Sequence, residues 1–259
     1  MSINVGSAFD LRKILPAGGV AGLSETFYDQ TGPPPSPLLQ NEVEFWTLGE
    51  APGNPRLGSL GAFGLTPTGA VGRAAGLIGN AASFDGSAMW LANTSAGLSV
   101  TGKDWTFTGW FYFAAPGLYG LAGKDESSSL EWSVYGRTDN GFATARAYDG
   151  VSVRTVSKSA SLTTATWYFF AVYYDKVTRV LSLDVNNSGS PTTVTLAGDI
   201  PVGTDRFAIC QNQAGFDYLN GRANLCGLWA SAPGAGGKLS AANQTLLYNA
   251  GAGLTYPFG

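Results

Sequence analysis

Carboxylates are numerous enough in this chain to suggest proton transfer or cation binding, so their spacing is the first thing to read. The 259 residues include 18 Asp and Glu, 2 Cys and no His. Without histidine, Ser-His-Asp and Cys-His catalysis drop out, and so does the commonest metal ligand. No Gly-x-Ser-x-Gly elbow or phosphate-binding loop occurs. Glu42 and Glu44 stand two apart and share a strand face, but they open a segment beside a Pro-rich stretch, a poor place for a catalytic pair. Glu131 is alone in L-E-W-S-V-Y, and Asp184 is alone in R-V-L-S-L-D-V-N. Glycoside hydrolysis needs two facing carboxylates, so no enzyme is expected. Cys210 and Cys226 fall on strand-like segments that could be neighbours. Free thiols packed as small apolar groups are favoured over a disulfide. A zinc site would need two carboxylates beside the two thiols and is not expected.

Recognition chemistry is better represented. Sugar binding needs an aromatic platform beside hydrogen-bonding groups. Trp132, Tyr135 and Tyr148 lie on middle strands that could line one sheet, with Trp90 and Tyr119 at its rim. The competing use of such rings is core or cross-strand packing. Asp217-Tyr218 precedes Asn220-Gly221 in a loop, which is also ordinary turn chemistry.

The elements that must position these groups are strands. Hydrophobic residues make up 44% and aromatics 12%, enough for a large core, while charged residues are only 13%. The 36 Gly and 13 Pro favour turns over long helices. A net charge of -3 leaves no basic stripe for nucleic acid. No apolar run approaches the length that spans a membrane. From Glu42 onward, strands are expected at Val43–Leu48, weakly at Phe63–Thr66, and on either side of an Asp85-Gly86 hairpin turn. In Trp105–Phe113, Trp105, Phe107, Gly109, Phe111 and Phe113 share one face, and Thr106, Thr108, Trp110 and Tyr112 the other. Further strands follow at Leu118–Gly123, Leu130–Gly136, Phe142–Tyr148 and Val151–Ser157. Trp167–Asp175 is apolar on both faces, which marks a strand buried on both sides. Arg179–Asn186, Thr192–Leu196, Arg206–Gln211 and Gly221–Ala230 complete the set. Ser240 caps a short helix that runs to about Ala250, and its Leu246, Leu247 and Tyr248 should pack on the sheets.

Three stretches, G-N-A-A-S-F-D-G-S-A-M-W-L, D-W-T-F-T-G-W-F-Y-F and L-S-A-A-N-Q-T-L-L-Y-N-A-G-A-G-L-T-Y-P, follow one another at a telling spacing. With Trp46 before Gly49-Glu50, and W-Y-F-F-A-V-Y-Y-D before R-V-L-S-L-D-V-N-N, they resemble a laminin-G-like domain of the concanavalin A-like lectin/glucanase group. The resemblance spans roughly residues 42–258. It implies an all-β fold: a two-sheet antiparallel jelly-roll sandwich with one short C-terminal helix. Residues 42–259 would form that domain, and residues 1–41 an N-terminal arm with a Pro-rich linker. Glycanases of this group carry a Glu-x-Asp-x-x-Glu run on one strand, and none occurs here. Asn224 stands where the group often has an acid. The group often carries calcium, for which Asp85, Asp125 and Asp149 are the weak candidates, with Glu126, Asp217 and Asn220 behind them. Asp85 and Asp149 precede Gly and are equally explained as turn formers.

Residues 1–40 differ from the rest. They lack sustained alternation and end in Gly32-Pro-Pro-Pro-Ser-Pro37. Ser7–Leu15 could form one or two helical turns. Phe9, Leu11, Ile14, Leu15, Val20, Leu23, Phe27 and Tyr28 are too apolar for a solvated tail and are expected to dock on a partner. The first residues do not fit a secretory leader, because charges follow a short apolar stretch and no apolar core comes after them. A recognition-type domain with an apolar arm and no leader suits a virion structural protein assembled in the host cytoplasm: a phage capsid decoration or tail component. Its partners would be other virion proteins and further copies of itself, with the jelly roll displayed outward and weakly binding cell-surface glycans. A carbohydrate-binding module of a surface or adhesion protein is the alternative.

Overall fold

The computed structural model describes residues 36–125, 129–211 and 217–258. The arm residues Phe9, Leu11, Ile14, Leu15, Val20, Leu23, Phe27 and Tyr28 lie outside the described residues. In chain order the strands are β1 (Glu42–Trp46), β2 (Thr66–Thr68), β3 (Gly72–Ala75), β4 (Asn80–Asp85), β5 (Trp90–Asn93), β6 (Asp104–Phe113), β7 (Leu118–Lys124), β8 (Trp132–Arg137), β9 (Phe142–Tyr148), β10 (Val153–Ser159), β11 (Trp167–Asp175), β12 (Val180–Val185), β13 (Thr192–Thr195), β14 (Phe207–Ile209) and β15 (Asn220–Ser231). Helix α1 (Ala241–Tyr248) follows.

Among the described residues these strands form two antiparallel sheets. One has eight strands in the order β13-β12-β11-β6-β15-β4-β3, with β1 also on β15. The other has seven, in the order β10-β9-β8-β7-β14-β5-β2. The period of two dictates the layering. On β6, Trp105, Phe107, Phe111 and Phe113 point between the sheets. Across from them stand Trp132 of β8 and Phe207 of β14. Trp132 lies 4.8 Å from Trp105, 5.4 Å from Phe107 and 6.2 Å from Phe207, ring centre to ring centre. Cys210 and Cys226 are both free and buried in this core. Their thiols are raised well above the usual range by burial, so they act as apolar filler.

The opposite faces of β6 and β11 are buried as well, as the doubly apolar Trp167–Asp175 run requires. Trp110, Phe169, Ala171 and Trp229 pack under Leu38, Leu239, Leu247 and Phe258. Trp110 stacks on Tyr248 of α1 at 5.7 Å and 9°. Ser240 caps the helix through Asn243 N–H, and Asn249 ends it in a left-handed conformation. Leu247 is buried, whereas Leu246 stays exposed because it falls on the helix's other side. Leu38, expected in the arm, is fully buried, and its carbonyl accepts the Trp229 indole N–H at 2.8 Å. The sandwich therefore extends back to Ser36.

Two local expectations are corrected. Asp85-Gly86 does not close a hairpin. β4 pairs with β15 and β3, while β5 pairs with β14 and β2. The Asp85 carboxylate accepts from the Ser87 N–H and hydroxyl, making a local turn that carries the chain from one sheet to the other. Strand β3 is also missing from the expected strands, which step from Phe63–Thr66 to the Asp85-Gly86 turn. Its composition, G-R-A-A, has none of the β-branched or aromatic residues that flag a strand.

β15 shows why an amide stands at position 224. Its first residues pair with β4 and its later ones with β1, along the same edge. At the joint the register against β6 shifts, and Leu225 takes φ +52°. Asn224 Nδ2 donates to the Thr47 and Asn80 carbonyls (2.7 and 3.0 Å), and its Oδ1 accepts from Ile78 N–H (3.1 Å). A carboxylate has no hydrogen to give, so an acid could not join the two strand ends this way. Asn224→Ala strands these buried groups and should cost about 1–3 kcal/mol. Trp132→Ala opens the inter-sheet core and should cost about 3–5 kcal/mol. Urea midpoints measure both; an Asn224→Ala midpoint equal to wild type would refute the bridging role.

Candidate functional site

With the middle of the eight-stranded sheet covered, the outer face of the seven-stranded sheet is where strand side chains line open clefts around the β14–β15 loop. Trp132 and Val134 of β8 point into the core, so Ser133, Tyr135 and Arg137 point outward. Register then sets Tyr135 beside Gly120 of β7 and Thr144 of β9, and Arg146 beside Ser133 and Thr155.

The first cleft, about 300 Å³, is lined by Leu118, Tyr135, Arg137, Thr144, Arg146 and Asp217. At its base the Tyr135 hydroxyl donates to Asp125 Oδ2 at 2.9 Å. Arg146 donates to the same oxygen and to the Tyr135 hydroxyl, and its guanidinium lies 4.7 Å from the Tyr135 ring centre. Arg137 makes a two-pronged pair with Asp139 (2.7 and 3.1 Å). Burial raises the Tyr135 phenol well above its ordinary range, so it stays a neutral donor. Burial also raises the Asp217 carboxyl; Arg146 and Arg137 pull it down and Asp125 pushes it up. The Asp217 carbonyl accepts from Gly120 N–H at 2.7 Å, which fixes the loop beside Tyr135.

The second cleft, about 350 Å³, lies over β2 and β5 and is lined by Thr66, Thr68, Trp90, Ala92, Asn93, Thr94 and Arg206. Pairing of Thr66 with Ala92 and Thr68 with Trp90 lays a hydroxyl-bearing floor against an indole. Tyr218 stacks on Trp90 at 5.6 Å and 18°, and the Arg206 guanidinium sits 4.9 Å from the Trp90 ring centre. Thus Asp217 lines the first cleft, and Tyr218, next to it in the loop, backs the Trp90 of the second.

The aromatics proposed from sequence separate sharply. Tyr135 forms the base of the first cleft and is itself nearly fully buried. Tyr148 is half-buried at the β9 end of the same face, beside Val153. Trp132 is corrected: it is fully buried between the sheets and offers no face to a ligand. Residues 132 and 135 differ by an odd number, so one regular strand cannot show both on one side. Trp90 lines a cleft as its rim placement suggested, whereas Tyr119 is buried, with its hydroxyl donating to the Ala115 and Pro116 carbonyls. The Trp90–Tyr218 pair escaped sequence reading because 128 positions separate its members.

The carboxylates are committed to the protein itself. Glu44 accepts from the N–H groups of Leu60, Ala62 and Phe63. Glu131 accepts from Ser99, Val100 and Gly203 and lies 3.6 Å from Lys124. Asp184 accepts from Val185 N–H and Ser188, near Lys158. Of the calcium candidates, Asp125 is tied to Tyr135 and Arg146, and Asp85 to Ser87. Asp149 accepts from Val151, Ser152, Ala197 and Arg154, which holds its pKa well below the usual range. Glu126 lies outside the described residues. Among the described residues no three His, Cys, Asp or Glu are grouped to hold a metal ion.

The sequence matches no family model and no curated protein. Solved structures share the fold. Domain 4 of AbnA, an extracellular arabinanase from Geobacillus stearothermophilus in complex with arabinotriose, is 14% identical over 79% of this chain and 98% of that one, with a TM-score of 0.57. The binding domain of Paraclostridial Mosquitocidal Protein 1 is 12% identical over 81% of this chain and 52% of that one, with a TM-score of 0.60. Trypanosoma rangeli sialidase is 12% identical over 83% of this chain and 34% of that one, with a TM-score of 0.58. The described domain is a β-sandwich of the kind these proteins contain. The match takes in about half of the toxin domain and a third of the sialidase chain.

Asp217 supplies a pH test of the first cleft. Its carboxyl is raised above the usual 3.8, so the folded state holds this proton more tightly than the unfolded chain. That contribution is fully present below about pH 4 and is lost as pH rises through the folded value. Asp217→Asn should therefore gain urea stability over wild type at pH 7 and match it near pH 3. Equal midpoints at both pH values would overturn the burial assigned to this group.

Proposed function

We infer that the described domain is a non-catalytic, glycan-binding β-sandwich of the laminin-G-like, concanavalin A-like kind, with the outer face of the seven-stranded sheet as its ligand face. One observation carries this reading: Trp90, stacked with Tyr218 and Arg206, edges a threonine-floored cleft on that face. The indole edge supplies apolar area to the C–H side of a sugar, and the threonine hydroxyls beside it supply hydrogen bonds. The AbnA domain, which has the same fold, is in complex with arabinotriose, and this supports the reading. The absence of catalysis is supported by Asp125, Glu131 and Asp184, each engaged by donors of the protein. Calcium is not required in this reading, because the cleft's polar groups are side chains that need no metal to hold them.

A finer proposal concerns where the domain works. The apolar residues of segment 1–40 support a docking role on a virion, as a capsid decoration or tail component whose sandwich carries the glycan face outward, with other virion proteins and further copies of itself as partners.

On a glycan array, the full chain should bind a subset of glycans reproducibly, and Trp90→Ala should lose at least about tenfold in affinity, the worth of roughly 1.4 kcal/mol. Binding unchanged in Trp90→Ala would remove this cleft from the site. Deleting residues 1–35 should abolish incorporation into particles while leaving glycan binding and thermal melting near wild type; normal incorporation would overturn the docking role.

A further inference from the structure

The two clefts lie at one level of the same sheet. Strand register runs Thr66, Ala92, Ala208, Gly123, Ser133, Arg146 and Thr155 in one transverse row. Trp90 stands two residues from Ala92 on β5, and Tyr135 stands two residues from Ser133 on β8. Both are displaced to the same side of that row, as shown by the contact of Cys210 N–H with the Leu121 carbonyl and by the pairing of Gly120 with Tyr135. Only β14 and β7 separate β5 from β8. Three strand spacings put the two positions roughly 14 Å apart, about the length of three linked pyranose rings.

What lies between them is the backbone of Asp217 and Tyr218. Gly120 N–H holds the Asp217 carbonyl beside Tyr135, and the next ring stacks on Trp90. The two residues are partly exposed; Asp217 lines the first cleft and Tyr218 stacks on the Trp90 of the second. The first cleft offers a threonine hydroxyl, two arginines and a carboxyl above the largely buried Tyr135, whose hydroxyl is engaged by Asp125 and Arg146. The second offers an indole edge and threonine hydroxyls. Neither cleft, at about 300 and 350 Å³, is large enough to enclose more than a short piece of a glycan.

From this juxtaposition we propose that the domain reads the interior of a linear oligosaccharide, not a single terminal sugar. The chain lies across the strands, one residue at the edge of Trp90, another against Arg146 and the rim of Tyr135, and the Asp217–Tyr218 step beneath the sugars that join them. This rests on the glycan-binding reading and adds chain length as the property selected. Occupation of both clefts by one ligand makes the second contact intramolecular, so affinity should climb with length until both are filled.

The test is calorimetric titration of the full chain with linear arabino-, xylo-, cello-, manno- and galacto-oligosaccharides of one to six residues. In at least one series, affinity should rise by about tenfold or more up to about four residues and then level off. Trp90→Ala and Tyr135→Ala should each return the long oligomers to the affinity of the short ones. If either variant melts early, Thr66→Lys and Leu118→Lys fill the two clefts from exposed positions and should have the same effect. Affinity that is independent of length, or a length dependence that both lysine variants leave intact, would overturn the two-cleft inference while leaving glycan binding standing. No binding in any series would overturn both.

Discussion

Burial of both faces of the β6–β11 region is the constraint on which the rest of the structure depends. One face of these strands meets the seven-stranded sheet through Trp105, Phe107, Phe111 and Phe170. The other is closed by α1, the C-terminal residues and Leu38 through Trp110, Phe169 and Trp229. A sheet with aromatic rings on both sides cannot be left half open to water, because each large apolar side chain gains about 1.5–3 kcal/mol on burial. The chain beyond β15 is thereby committed to cover. Around the β14–β15 loop it is the other sheet whose strand side chains line open clefts.

Long loops are held by buried charge, not by regular pairing. Glu44 gathers the N–H groups of Leu60, Ala62 and Phe63, while Arg56, fully buried, donates to the carbonyls of Ala51, Asn54 and Gly72. Glu131 and Lys124 do the same for the loops at Ser99–Val100 and Gly203–Asp205. A buried charge persists only when its hydrogen-bonding capacity is met, so these residues are tied to the frame and taken away from chemistry. The acids most suggestive of catalysis on paper are the ones most completely used in holding the fold.

The clefts depend on a different arrangement. Their walls come from β2, β5, β7, β8 and β9, and their division comes from two consecutive loop residues that diverge. Tyr218 lends Trp90 a stacked neighbour, and Asp217 lends the first cleft an acid whose pKa burial raises. Preorganised rings and guanidinium groups cost a ligand little ordering entropy. That is the physical basis for reading this face as a recognition surface.

Much of the frame was legible from the amino-acid order alone. Phe142–Tyr148 and Trp167–Asp175 were marked to the residue by alternation and by double-sided apolarity, and Ser240 announced α1, because these signals are local and repeat with the period of the element. β3 was silent because Gly-Arg-Ala-Ala carries no side chain that prefers a pleated strand. The Asp85-Gly86 turn was misread because a turn signal states that the chain reverses, not which sheet receives it. Trp132 and Tyr135 could have been separated by parity. The Trp90–Tyr218 stack, the single edge of β15 shared by β1 and β4, and the saturation of Glu44 and Glu131 were decided by tertiary structure. Each joins groups far apart in the chain, and only the long-range pairing of strands brings such groups within bonding distance.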